Sequence, residues 1–363
     1  MVWAQQDSRN IMDELVNVGG IVLKKIGCHT EPHEVNGKGK TRTTLWKQGQ
    51  DGQRRYKGIL YHYTGGVSTI GAMRWANHPG WGNEGSSWHV TIADRMTDNV
   101  VGEEWAKIDD ELRRLFPVPT IIMADFRWGT WHGNWTNNMT LGVENRNGGY
   151  WGYNKAKGGL HGLGKKGKQV GTRMWEEYTK EQMVSNVNLG RLANGLVEGT
   201  MDPDWILSHQ CIYAKKQDTG PLFPIHSVRN AIFAGGDLTA QTWLKAHPMA
   251  PDTNEDDDAH WEDKDELRLE LDKDFVRWVT PSAETRDQEM DGGWIAEQMT
   301  RLGFNMQYEI PEAKSMRKQV RWFQRSTGAY RKKHPEWVLT PDGIYGPKTE
   351  EALVRRMSQM GFV

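Results

Sequence analysis

Cysteine is nearly missing from this chain, with Cys28 and Cys211 the whole supply. Two thiols exclude a disulfide framework and a structural zinc site built on cysteine. Missing too is any run of roughly 18 or more uncharged apolar residues, so a membrane-spanning helix is not expected. The opening stretch MVWAQQDSRNIMDEL has no basic segment leading into an apolar one, so no export signal is read there. Neither sign of charge dominates, since 46 Lys and Arg stand against 47 Asp and Glu. No global field therefore draws the chain toward nucleic acid or an anionic membrane.

What the chain does have is length, glycine and tryptophan. Its 363 residues at 37% apolar content suit two domains, or one large domain and a small one. The 40 Gly imply many tight loops. The 18 Trp suit either exposed aromatic platforms of the kind carbohydrate binders use or simple core filling.

Segments at 57–64, 86–94, 119–126 and 139–147 read as strands, and those at 100–116 and 179–197 carry apolar residues at helical spacing. Strands mixed with helices predict an α/β unit, a mixed sheet flanked by helices. Between 251 and 274 acidic residues far outnumber basic ones, which reads as a solvated linker. Beyond it, GGWIAEQMTRLGF, KSMRKQVRWFQRSTGA and GPKTEEALVRRMSQMGF predict a small three-helix domain. The resulting division is 1–55 as an N-terminal extension that starts with a helix, 56–248 as the α/β domain, 249–285 as linker and 286–363 as the helical domain.

Several residues carry chemistry. In GILYHYT, alternation puts Leu60 and His62 on one face and Tyr61 on the other. His62 is either a satisfied core histidine or a ligand. His209 follows the apolar WIL, where a buried strand ends, and Asp218 comes nine positions later on a loop closed by Gly220-Pro221. Two imidazoles and a carboxylate form a usual protein set for catalytic zinc. Cys211, two residues past His209, faces the same way if the strand continues, as an alternative third ligand or a buried inert thiol. Glu144 lies in an apolar strand where an unpaired acid is costly, so it either orients a metal-bound water or pairs with Arg146 or a lysine. Lys216 either stabilises an oxyanion or is a surface lysine.

The ordered set ILYHYTGG, SSWHVTI, WHGNWTNNMTLGVENRN and WILSHQCIYAKKQDTGP resembles the zinc-dependent N-acetylmuramoyl-L-alanine amidases of bacteriophage endolysins, relatives of the peptidoglycan recognition proteins. The resemblance spans roughly 56–228. It implies Zn2+ held by His62, His209 and Asp218, with Glu144 as general base and Lys216 beside the oxyanion. Trp88 falls where many members have a tyrosine and is expected to wall the substrate. His132 matches a histidine beside the substrate groove, or else is a hydrogen-bonded structural residue. Thr219 replaces the usual proline after the aspartate, and the helix at 100–116 and the basic, Gly-rich 154–173 are insertions.

VRWFQRSTGA followed by LTPDGIYGPKTEEAL resembles the three-helix peptidoglycan-binding domain of wall hydrolases. The resemblance implies a peptidoglycan partner, while the balanced charge and the lack of a long apolar run predict no nucleic-acid partner and no membrane insertion. It also implies residence in the host cytoplasm until release to the wall. The alternatives are a virion tail-associated amidase docked through residues 1–55, or a peptidoglycan-binding structural protein without activity. As a tethered module, the C-terminal domain would leave hydrolysis of a small soluble muramyl peptide unchanged when removed.

Overall fold

The computed structural model describes residues 5–30, 44–45, 56–66, 68–77, 87–95, 99–126, 128–137, 139–152, 167–170, 173–234, 299, 302, 304 and 313–360. The acidic segment 249–285 lies outside the described residues, as does most of 292–304, the first of the three C-terminal helices expected from sequence.

In chain order the helices are α1 (Gln5–Lys25), α2 (Thr69–Asn77), α3 (Val100–Trp105), α4 (Asp110–Leu115), α5 (Lys180–Leu196), the single turn α6 (His209–Ile212), α7 (Ile225–Phe233), α8 (Ala313–Ser326) and α9 (Pro347–Met360). The strands are β1 (Thr44–Leu45), β2 (Gly58–Tyr63), β3 (Val90–Ile92), β4 (Thr120–Ile122), β5 (Trp128–Gly129), β6 (Thr140–Asn145), β7 (Tyr150–Gly152), β8 (Gly167–Val170), β9 (Arg173–Glu176) and β10 (Ile206–Ser208).

The fold is α/β. A five-stranded mixed sheet runs in the order β10-β2-β6-β3-β4, parallel except for β4, which pairs antiparallel with β3. The β7-β9-β8 sheet is antiparallel, and 167–170 and Arg173 of the basic insertion belong to its strands. Residues 154–166 and 171–172 of that insertion lie outside the described set.

Alternation along the central strands gives the large sheet two distinct faces. Ile59, Tyr61, Val90, Leu141 and Val143 enter one apolar cluster with residues of α1, α5 and α7. Helix α1, expected as part of an extension, belongs to this core, with Leu15, Val22 and Leu23 fully buried and the helix packed on β4 and α5. Helix α5 starts at a capping box, in which Thr179 and Gln182 satisfy each other's backbone N–H groups. The helix expected over 100–116 is two short ones. Asp109 accepts the N–H of Glu111 and so starts α4 anew, a local bond that competes with helix continuation.

On the opposite face Leu60 and Leu207 join a second cluster with Phe323 of α8 and Leu353 and Met357 of α9. The C-terminal helices thus pack on this side of the molecule, α8 against α6. Trp205, Trp135 and Trp322 form an aromatic knot in this seam, with centroids 4.9 to 6.0 Å apart. Lys318 reaches Asp202 and Asp204 at 3.1 Å each. Among the described tryptophans, Trp88, Trp105, Trp175, Trp205 and Trp322 fill cores and seams, while Trp75 and Trp131 stand exposed.

Candidate metal centre

The site forms at the ends of neighbouring parallel strands. In the β2–β6 register His62 lies directly beside Glu144, and Leu60 beside Gly142. All four share the sheet face away from the α1–α5–α7 core. Next to β2, strand β10 ends at Ser208 and the chain turns at once into α6, which starts with His209.

Three donors converge here. His62 Nδ1 lies 3.0 Å from His209 Nδ1 and 3.0 Å from Asp218 Oδ2, and His209 Nδ1 lies 2.9 Å from the same oxygen. All three side chains are buried, and the set has the geometry of a metal cluster. Burial, and then the charge of His209, depress the His62 imidazole to about 4 against the partial pull of Asp218. At neutral pH His62 is therefore uncharged, the form that binds metal. Burial works to raise the Asp218 carboxyl, but the charges and hydrogen bonds of His209 and His62 outweigh it and hold it well below the usual carboxylate range.

The loop bearing Asp218 is tied from both sides. The backbone N–H of Gln210 donates to the Asp218 carbonyl at 2.8 Å, and the Tyr178 hydroxyl donates to the Thr219 carbonyl at 2.8 Å. Gly220 has φ +81°, and a Cβ there would meet the Trp175 ring at 2.6 Å, so glycine is required on both counts. From the C-terminal side, Arg356 donates to the Lys216 carbonyl and the Gln217 amide donates to the Gln359 carbonyl at 3.1 Å. The Tyr330 hydroxyl donates to the Ala214 carbonyl at 3.3 Å. Nothing in the local sequence of 213–220 announced these contacts, which join residues more than a hundred positions apart.

Glu144 is buried, and its Oε2 has no hydrogen-bond partner among the described residues. Arg146, the partner considered from sequence, turns instead to Glu176 and Asp94. Burial first, then the Asp218 charge, push the Glu144 carboxyl well above its ordinary range, and the charge of Lys216 offsets part of this. Lys216 itself is exposed and acts on both His62 and Glu144.

Cys211 is not in the cluster. Because α6 begins at His209, positions two apart no longer share a face, and Cys211 turns toward Ser208 Oγ at 3.2 Å and the Leu302 carbonyl at 2.9 Å. Burial pushes its thiol up to about 11. Trp88, expected as a substrate wall, sits in the first core cluster, with its indole N–H donating to Thr91 Oγ1 at 2.8 Å.

His132 is buried with both ring nitrogens engaged, to His62 Nε2 at 3.4 Å and to the Thr140 carbonyl at 2.9 Å. This is the hydrogen-bonded structural placement. Burial first, then His62 and His89, depress it well below the usual histidine value. His89 was not singled out from sequence. It is fully buried, and its Nδ1 accepts the Gly142 N–H at 2.9 Å and the Thr130 hydroxyl at 3.1 Å.

No family model matches the chain, and no curated protein matches it. Among solved structures it is similar to the N-acetylmuramyl-L-alanine amidase AmiD from E. coli, in complex with anhydro-N-acetylmuramic acid-L-Ala-D-gamma-Glu-L-Lys. The two share 14% identity over 87% of this chain and 94% of that one, with a TM-score of 0.38. It is also similar to AmpDH3 from Pseudomonas aeruginosa, at 15% identity over 90% of this chain and 98% of that one and a TM-score of 0.38. The AmpDH3 complex with anhydromuramic pentapeptide gives 12% identity over the same shares and a TM-score of 0.36. At these values the chemistry of the site has to be judged from its own residues.

Proposed function

We propose that the chain is a zinc-dependent hydrolase of bacterial peptidoglycan that cleaves the amide joining N-acetylmuramic acid to L-alanine. The observation that carries this reading is the convergence of His62 Nδ1, His209 Nδ1 and Asp218 Oδ2 at 2.9 to 3.0 Å beside a buried carboxyl, one of whose oxygens has no partner among the described residues. Three lone-pair donors this close repel one another unless a cation or a proton lies among them. Two imidazoles and one carboxylate suit zinc with a position left open. A zinc ion held there supplies Lewis acidity and lets water act as a nucleophile near neutral pH.

The chain's own residues then divide the work. Glu144 takes the proton as water adds to the lactyl carbonyl carbon, and burial, by raising its affinity for protons, makes it a stronger base. Lys216, on the rim, places a positive charge by the developing oxyanion. As the C–N bond breaks, Glu144 returns its proton to the nitrogen of L-alanine, leaving a free amine and a carboxylate. A binder of the same polymer has no use for a buried carboxyl on the strand position next to His62, which favours catalysis over recognition alone. The substrate class, and the setting in bacteriophage lysis, rest on the order of the sequence motifs. The C-terminal helices are read as a peptidoglycan-binding module on the same ground.

Mass spectrometry of purified sacculi digested with the full chain, with and without a chelator, tests the reading. The expected products are free peptide stems with N-terminal L-alanine, lost on chelation. Intact stems, or glycan-strand cleavage, would overturn it.

A further inference from the structure

A histidine offers a metal whichever ring nitrogen lacks a proton, and the hydrogen bond on the other nitrogen decides which one that is. Behind His62 that bond is made by a second histidine. Nε2 of His132 lies 2.9 Å from the Thr140 carbonyl oxygen, which can only accept, so this nitrogen carries the hydrogen. In a neutral ring Nδ1 of His132 then holds the lone pair. His62 Nε2, 3.4 Å away, has to be the donor toward it. One N–H per neutral imidazole leaves His62 Nδ1 bare, and Nδ1 is the atom 3.0 Å from both His209 Nδ1 and Asp218 Oδ2.

The His132 ring is held in that role from several sides. Its backbone N–H donates to Asn137 Oδ1 at 2.9 Å. Its ring lies over Gly142, where an added Cβ would come within 2.5 Å of His132 Cγ, so strand β6 needs glycine at this point. His89 packs edge-on against it at 5.9 Å between centroids while accepting the Gly142 N–H. A competing arrangement stands close by. Without an acceptor at Nε2, a His62 hydrogen finds its acceptors on the Nδ1 side, where Asp218 Oδ2 and His209 Nδ1 both lie at 3.0 Å, and a hydrogen there occupies the lone pair that a cation needs.

We infer that His132 is a positioning residue that fixes His62 in the Nε2–H tautomer, so that Nδ1 faces the cluster as a free donor. The purpose of this arrangement rests on the metal-hydrolase reading above. The tautomer itself is a property of the metal-free chain and is measured without metal.

The experiment is nitrogen NMR of the full-length, metal-free chain carrying labelled histidine at neutral pH, paired with zinc affinity from competition with a chromogenic chelator. His62 is expected as the Nε2–H tautomer. In His132→Leu the Nδ1–H form gains population and zinc affinity falls by about 10- to 100-fold. His132→Asn, whose amide oxygen takes the place of Nδ1, recovers most of the affinity. An Nδ1–H tautomer at His62 in the unsubstituted chain overturns the inference, and this needs no variant to fold. Zinc affinity unchanged in a His132→Leu chain that melts like the unsubstituted one overturns it as well. The Nε2–H tautomer in a chain that takes up no zinc supports the role of His132 and sinks the metal-hydrolase reading instead.

Discussion

On one face of the central sheet, Ile59, Tyr61, Leu141 and Val143 meet α1, α5 and α7 in a continuous apolar core. On the other, the same two strands present Leu60, His62, Gly142 and Glu144 to a mixture of polar site and C-terminal helix. The first face is held together by burial of apolar surface, which tolerates small displacements of side chains. The second depends on angles and distances among a few polar atoms, some supplied by loops. A site of this kind needs bracing from outside the strands, and the C-terminal helices provide it at residues 214–217. The two faces thus divide stability and chemistry between them, and substitutions should separate the two.

The largest effect is expected at the three donors. His209→Ala or Asp218→Ala leaves two protein ligands, so the purified chain should retain no zinc by elemental analysis and show background hydrolysis. Cys211→Ser, whose side chain points to Leu302, should retain a full complement. Zinc retained in the alanine variants would remove the cluster from the comparison. Next comes Glu144→Gln, expected to keep zinc and the fold while turnover on muramyl peptide falls about 10²- to 10⁴-fold. Turnover near that of the unsubstituted chain would make the buried carboxyl structural.

A matched pair of core truncations sharpens the contrast. Leu192→Ala in α5 and Leu353→Ala in α9 each remove a fully buried side chain, and each should cost about 2–5 kcal/mol in denaturant unfolding. Only Leu353→Ala should also weaken zinc binding by the folded chain, because α9 carries Arg356 and Gln359 to the loop of Lys216 and Asp218. Equal zinc affinity in both would mean the C-terminal helices pack on the site without steadying it.

The smallest effect concerns the two thiols. Burial pushes Cys28 and Cys211 each up to about 11, so both should react slowly with maleimide in the native chain. Leu353→Ala should speed labelling of Cys211 several-fold and leave Cys28, in the opposite core, as it was. Mass spectrometry of labelled peptides distinguishes the two. The same packing changes the expectation for a chain lacking its C-terminal helices. Leu207, Ile212 and Trp205 would lose their cover, so hydrolysis even of a small soluble peptide should fall.

Much of this was legible in the sequence. The strand carrying His62 shows by its alternation which residues face the site, and α5 is readable from helical spacing. Proximity of His62, His209 and Asp218 was expected from motif resemblance, not from spacing, because residues 62 and 209 meet only through the pairing of β2 with β10. One local reading failed for a local reason, since Asp109 restarts a helix that periodicity alone would continue, and one left open was settled locally, since Ser208 ends the strand that had to continue for Cys211 to face the site. Trp88 and His132 show a different limit. An aromatic or imidazole side chain suits a groove or a core equally well, and only its neighbours distinguish them.

By itself, then, the sequence determined the α/β class, the face each strand residue takes and the chemical inventory of two imidazoles, two carboxyls and a lysine, because period and residue type are local properties. The tertiary structure alone decided which nitrogen of His62 faces the donors, that Glu144 Oε2 finds no hydrogen-bond partner among the described residues, and that α9 grips the loop of Asp218. Those outcomes depend on distances between segments far apart in the chain. Such distances follow from how the sheet is ordered and from what packs against each of its faces.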